Sequence, residues 1–134
     1  LVGKNGKEIT VEAKIDTGAD STSIDTDLGK QLGFEDMLAF FATIPKPQAS
    51  TRSSLKIISD EYDKKYEGAH PDLKAVTFTY SANGLGMRPK VEASFVMDTI
   101  EISTRVTIVD RAHLEYPVIV GKRDLRKFLV DVSK

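Results

Sequence analysis

Residues 13–25 read AKIDTGADSTSID, and the position of Asp16 in this stretch decides how the fold is interpreted. Val11, Ala13 and Ile15 alternate with polar residues, which is the pattern of a strand with one buried face. A carboxylate at the end of a half-buried strand costs free energy unless the protein stabilises or uses its charge. Asp16 is therefore the first candidate for a functional residue.

The composition is typical of a globular protein. The 134 residues include 29% charged and 40% hydrophobic side chains, with a formal net charge of -1. This length predicts one domain over residues 1–134. Lys and Arg are interleaved with Asp and Glu, so we expect no nucleic-acid partner. The absence of cysteine excludes disulfides and thiolate catalysis.

The sequence contains no apolar run long enough to span a membrane and does not open with a signal peptide. Because the chain begins with Leu1 instead of Met, we expect that an upstream segment has been removed. The compartment stays open, with the cytoplasm favoured.

Short segments of alternating polar and apolar residues dominate the chain and predict an all-β fold. Residues 4–7 and Asp98–Thr99 have the composition of hairpin turns. The predicted strands are Glu8–Ile15, Ser21–Asp25, Ala75–Tyr80, Val91–Met97, Thr99–Val109 and Pro117–Val120.

Two short helices complete the predicted elements. The first is capped by Asp27 and ended by Gly33, and the second is capped by Asp124 and covers Leu125–Phe128. Between residues 44 and 73 the pattern weakens, which indicates a long loop or an insertion. A strand near residues 55–58 is the alternative.

The two ends of the chain together resemble the retropepsin family of aspartic peptidases. Asp16-Thr17-Gly18-Ala19 matches the D-T/S-G turn of that family, and YPVIVGKRDL, with Gly121, matches its hydrophobic-hydrophobic-Gly segment. D-T-G alone is a weak signal, but the pair of motifs about 100 residues apart is specific. Val120 and Gly121 are therefore taken as the second motif.

Further segments resemble a bacterial retropepsin-like family often labelled "putative ATP-dependent zinc protease". These are SANGLGMRPKV at residues 81–91, VTIVDRAHLEYPVIVGKRDL at 106–125 and the terminal FLVDVSK, whereas LGKQLGF at 28–34 resembles a short segment of many retropepsin-like domains. Asp20 departs from that family, which usually has a basic residue there. The chain is thus a divergent member or is closer to the viral pattern.

The resemblance implies a closed acid-protease barrel and a mechanism. Such enzymes activate water between two carboxylates that share one proton, because two like charges about 3 Å apart do not both ionise easily. One chain supplies one D-T-G, so the resemblance implies a twofold homodimer in which each protomer contributes Asp16. Thr17 would then bond across the axis, and Gly18 and Ala19 would let the backbone approach a peptide or protein substrate.

The resemblance also implies a flap and a dimer strand. We expect the flap tip at Ser81–Met87, where Asn83, Gly84 and Gly86 provide flexibility. The apolar run Phe128–Val132 is the expected pairing strand between protomers.

Several charged residues keep two interpretations open. Arg88, followed by Pro89, either orients the flap or substrate or is a surface residue. Arg111, Lys122 and Arg123 either bind an acidic substrate or are solvated surface charges.

We expect no cofactor. Only His70 and His113 are present, no H-E-x-x-H occurs, and no P-loop motif exists, so neither zinc nor ATP is expected. The predicted function is an aspartic endopeptidase. The alternatives are an inactive dimerisation or binding module, and a hydrolase that trims glutamate-rich tails with the same dyad.

Overall fold

Six strands form one mixed sheet in a computed structural model, which describes residues 1–2, 6, 8–45, 55–66, 68–81, 84–97, 99–110 and 116–132. The sheet order is β1-β6-β2-β5-β4-β3. β1 pairs parallel with β6 and β2 pairs parallel with β5, whereas the other three pairings are antiparallel. The strands are β1 Ala13–Asp16, β2 Ser23–Asp25, β3 Ala75–Ser81, β4 Gly84–Met97, β5 Ile100–Val109 and β6 Val118–Gly121.

Helices connect the strands and cover the sheet. They are α1 Thr26–Gly29, a kinked helical segment Lys30–Phe34, α2 Glu35–Phe41, α3 Leu55–Tyr66 and α4 Lys122–Val132. Gly33 has a φ of 99°, which breaks the helical path between α1 and α2. The sequence predicted that a helix ends at this glycine. No described helix is long and apolar enough to cross a membrane.

The core lies between the central strands and the first helices. Ile24, Leu32, Met37, Val91 and Val106 are each fully buried and belong to one hydrophobic cluster. Apolar residues on alternate positions of β4 and β5 supply much of it, as expected for a sheet with one covered face. The β-rich fold with few short helices agrees with the prediction.

Both predicted hairpins around β4 are present. Met97 pairs with Ile100, so two residues connect β4 to β5, and Thr99 adopts a φ of 72° in that turn. Ser81 pairs with Gly84, so the expected flap segment forms the end of the β3–β4 hairpin. In the predicted turn at residues 4–7, only Gly6 is described. Val2 and Glu8, which flank this turn, form an isolated antiparallel β-bridge.

The prediction of a closed barrel is wrong for the part of the chain that the structure describes. β1 and β3 are the two edges of an open sheet and pair with no common strand. α3 packs against β3, and Asp63 Oδ1 accepts a hydrogen bond from Val76 N at 3.2 Å. The helix thus covers the edge that barrel closure would have to use.

Two helices replace predicted irregular or extended segments. α3 occupies residues interpreted as a loop or a strand, because Ile58, Tyr62 and Tyr66 recur every four residues and bury one helical face. α4 continues to Val132, so Phe128–Val132 is helical and is not a pairing strand.

The boundaries of the predicted helices also need correction. Asp25, not Asp27, caps α1, since its Oδ2 accepts from Asp27 N at 3.1 Å. Asp124 does not cap a helix, because α4 already begins at Lys122.

The first strand is shorter and more exposed than predicted. It begins at Ala13 rather than Glu8, and the Ile15 side chain is 52% exposed. The reason is that β1 is an edge strand, paired only with β6.

Candidate active site at the Asp16 turn

Asp16 closes a tight turn at the carboxyl end of β1. Its side-chain Oδ1 accepts a hydrogen bond from Gly18 N at 2.9 Å, and its carbonyl oxygen accepts from Ala19 N at 3.1 Å. The Asp16 residue is half-buried, whereas Thr17 and Gly18 are exposed. The turn therefore fixes the carboxylate while leaving its approach open to solvent.

β6 and α4 brace this turn from behind. Asp16 lies opposite Gly121 in the parallel register of β1 and β6. Lys122 N donates to Ala19 O at 2.8 Å, and Arg123 N donates to Asp20 O at 3.2 Å. The first N–H groups of a helix have no partner within the helix, so the turn carbonyls satisfy two of them. The structure therefore brings the two motifs together.

Gly121 has no room for a side chain. A Cβ at this position would lie 2.4 Å from the carbonyl carbon of Ser21 and 2.5 Å from its oxygen. Both of these are backbone atoms, which cannot move aside as a side chain can. This close approach is the physical reason for glycine in the second motif.

A buried carboxylate behind the turn was not predicted as part of the site. Thr22 Oγ1 donates to Asp124 Oδ2 at 2.6 Å, and Gly121 N donates to the same Thr22 oxygen at 3.3 Å. Asp124 is 1% exposed, and its Oδ1 has no hydrogen-bond partner in the described part of the chain. A lysine lies close to this oxygen: Lys127 Nζ is 3.7 Å from Oδ1.

This arrangement connects α4 to the segment that follows the Asp16 turn. Thr22 and Asp124 are 102 residues apart in sequence. They lie in the segments AKIDTGADSTSID and YPVIVGKRDL, but the spacing within each segment does not indicate the contact. Only the pairing of β6 beside β1 and β2 brings them together. Local residue spacing therefore does not predict the hydrogen bond between Thr22 and Asp124.

The predicted flap residues lie in β3 and β4, at the edge of the sheet opposite to β1. Gly86 pairs with Thr79 and Arg88 pairs with Thr77 in the β3–β4 hairpin, while Asn83 lies outside the described residues. Within the described ranges, no hydrogen bond or strand pairing joins this hairpin to the Asp16 turn. The structure thus groups the two motifs but leaves the flap separate in this single chain.

Arg88 and Pro89 contribute to a mainly apolar cleft of about 500 Å³. Leu38 and Phe41 of α2 and Ile108 of β5 line its other walls. Pro89 is buried and Arg88 is half-buried at this cleft, and neither interpretation of Arg88 is decided by its position.

The other charged candidates lie in different surroundings. Lys122 Nζ lies 3.2 Å from Asp20 Oδ1, so this exposed lysine already has an acidic partner within the chain. Arg123 lines a different cavity, described below, and Arg111 lies outside the described residues.

No group of three or more His, Asp or Glu side chains that could hold a metal occurs among the residues the structure describes. His70 Nδ1 accepts a hydrogen bond from Asp72 N at 3.1 Å, and His113 lies outside the described part. The chemistry available at the Asp16 turn is that of a carboxylate: it can accept a proton, donate one when protonated, and orient water.

Comparisons with protein-family models, with curated proteins and with solved structures gave no match.

Proposed function

We propose that this chain is a retropepsin-like aspartic peptidase in which a water molecule is activated between two Asp16 carboxylates. The observation that carries the proposal is the fixed, solvent-accessible Asp16 turn, braced through Gly121 by the second motif. One carboxylate would remove a proton from water, and the other, protonated, would polarise the scissile carbonyl. No residue outside the Asp16 turn is needed for the proton transfer.

The proposed site needs a second copy of the chain. Each protomer supplies one D-T-G, and a shared proton requires two carboxylates close together, so we propose a twofold homodimer with the turns at its axis. β1 favours this arrangement because it is an edge strand with a 52% exposed Ile15 beside Asp16. Thr17, exposed in the turn, is the side chain available to bond across the axis.

Because α4 occupies Lys122–Val132, the proposed dimer does not use a terminal pairing strand there. The contact would instead involve the Asp16 turns and the neighbouring β1 edges. The β3–β4 hairpin is proposed as the flap that closes over the substrate of the dimer and excludes water.

Peptide cleavage tests the proposal directly. The wild type, Asp16→Asn and Asp27→Asn are incubated at high protein concentration with a peptide library between about pH 4 and 7, where a shared-proton dyad is competent. Asp27 is an exposed carboxylate on α1. Asp27→Asn therefore removes the same charge as Asp16→Asn but leaves the Asp16 turn intact. Mass spectrometry identifies the cleaved bonds.

We expect cuts by the wild type and Asp27→Asn, none by Asp16→Asn, and no loss of cleavage with a metal chelator. Cleavage that persists in Asp16→Asn, or that a chelator abolishes, would contradict the proposal. A dimer that cleaves no peptide would favour the dimerisation-module alternative. Cleavage of glutamate-rich peptides alone would identify the tail-trimming alternative.

A further inference from the structure

Cations from two elements line one open cavity whose lining does not include Asp16. Arg105 of β5 and Arg123 and Lys127 of α4 border a space of about 650 Å³. Ser94 and Ser103 border the same space, and their hydroxyl oxygens lie 3.0 Å apart. The cavity therefore combines positive charge with hydroxyl groups that can donate hydrogen bonds.

Lys90 adds a fourth cation beside this cavity. Lys90 and Glu92 lie two residues apart on β4, and Glu92 pairs with Arg105, so Lys90 and Arg105 are diagonal neighbours on one face. Burial lowers the pKa of Lys90, and the nearby charges of Arg123 and Arg105 lower it further. These cations therefore repel one another in the folded protein.

Acidic groups compensate this charge only in part. Among the described residues, Glu92 is the carboxylate that lines the cavity, and buried Asp124 lies 3.7 Å from Lys127. The charge of Asp63 also partly offsets the effect of the cations on Lys90. Within the described residues, neither Arg105 nor Arg123 forms a salt bridge. The cations thus outnumber the carboxylates by four to three, and such a surplus of positive charge is stabilised when a multiply charged anion binds to it.

We propose that this cavity binds a small phosphate-bearing molecule through Arg105, Arg123 and the Ser94–Ser103 hydroxyl pair. Guanidinium groups present paired N–H donors that match phosphate oxygens. Hydroxyl donors add hydrogen bonds, and a polyanion neutralises several cations at once. The proposal does not depend on the peptidase function, because it uses no group of the Asp16 turn.

Titration calorimetry with inorganic phosphate and pyrophosphate tests it, at constant ionic strength with chloride as the background anion. The titration compares three proteins: the wild type, the double variant Arg105→Gln/Arg123→Gln, and Lys56→Gln. Lys56 is exposed on α3 and lines none of the described cavities, so it controls for the general loss of positive charge. The double variant removes both guanidinium groups.

We expect pyrophosphate to bind more tightly than phosphate, because it carries more charge. The double variant should bind at least about tenfold more weakly, since two charge-assisted hydrogen-bonding groups are lost. Lys56→Gln should stay within about twofold of the wild type.

Amide chemical-shift mapping on the wild type tests the location without any variant. Shifts induced by pyrophosphate should concentrate in β4, β5 and α4 around Ser94, Arg105 and Arg123. Shifts elsewhere, equal weakening in Lys56→Gln, or no binding of either anion up to about 10 mM would overturn the proposal. A glutamate-rich peptide that binds there while pyrophosphate does not would also overturn it.

Discussion

The Asp16 turn and the α3 region are held to the sheet in different ways. At the turn, backbone groups contact backbone groups: Lys122 N bonds Ala19 O, and Gly121 packs against the main chain of Ser21. At α3, side chains make the contacts: Tyr62 packs edge-on against Phe78, and Asp63 accepts from Val76 N. Position 121 in the first region permits only glycine, whereas the apolar face of α3 accepts several residue types.

This difference explains why the turn carries a recognisable motif and the helix does not. A backbone contact at 2.4 Å from a notional Cβ permits only glycine. A helical face needs only apolar residues at suitable spacing, which many sequences satisfy. Substitutions at the turn should therefore cost more free energy of unfolding than substitutions at α3.

The largest effect is expected for Gly121→Ala. The new methyl group would collide with the Ser21 backbone and separate β6 from the turn, at a cost of about 3 kcal/mol in the free energy of unfolding. Gly86→Ala is the matched control, because its Cβ would meet the Thr79 hydroxyl, which can rotate away. Urea denaturation measures both, and equal costs would contradict the distinction between the regions.

Asp124→Ala should cost about 2 to 3 kcal/mol, since it removes the acceptor of Thr22 and leaves a buried space. Asp124→Asn keeps an amide oxygen for Thr22 and should cost less. Asp60→Ala, an exposed carboxylate on α3, should change the free energy of unfolding by at most about 0.5 kcal/mol. If Asp124→Ala left the free energy of unfolding unchanged, the buried carboxylate would not hold α4 in place.

Ile58→Ala on α3 should cost about 2 kcal/mol, near the low end for a buried aliphatic residue, because the helix can partly collapse onto the edge of the sheet. Its neighbour Ile57 is 61% exposed, so Ile57→Ala should change stability by at most about 0.5 kcal/mol. Thermal or urea unfolding of this pair tests whether α3 packs on the face assigned to it. Equal costs would place the buried face elsewhere.

The smallest effect concerns the charge of Lys90. Its pKa is lowered in the folded protein, first by burial and then by Arg123 and Arg105. The folded state therefore disfavours the charged form, and this penalty is complete below the lowered pKa. It disappears as pH rises from there to the ordinary value of 10.5.

Lys90→Gln should accordingly stabilise the protein slightly at neutral pH, by at most about 0.5 kcal/mol because solvent screens the partly exposed lysine. The gain should shrink as pH approaches about 10.5. Lys56→Gln, an exposed lysine on α3, serves as the control. A gain for Lys90→Gln that grows with pH would contradict the assigned sign.

The sequence was informative where local chemistry determines structure. Alternating residues located most of the sheet, and the composition at Asp98–Thr99 predicted the β4–β5 hairpin. The resemblance paired the motifs around Asp16 and Gly121, and the structure places these two positions opposite each other. Each of these features depends on neighbouring residues or on a backbone geometry that few residue types satisfy.

The remaining features depend on packing between distant parts of the chain. The weak pattern at residues 55–58 indicated a loop, with a strand as the alternative, but the four-residue spacing from Ile58 to Tyr62 forms the buried face of α3. That helix covers β3 and leaves the sheet open. The apolar residues near Val132 likewise form a helix, because α4 starts from hydrogen bonds to the turn at Ala19 and Asp20.

The central claim, that two Asp16 carboxylates form one site, is tested most directly by mixing protomers. Wild-type and Asp16→Asn chains are unfolded together and refolded at varied ratios and constant total concentration, and peptide cleavage is measured. If each site needs Asp16 from both protomers, activity will follow the square of the wild-type fraction, so an equal mixture keeps about one quarter. Activity that falls in direct proportion, to about one half, would show that a single chain contains the complete site.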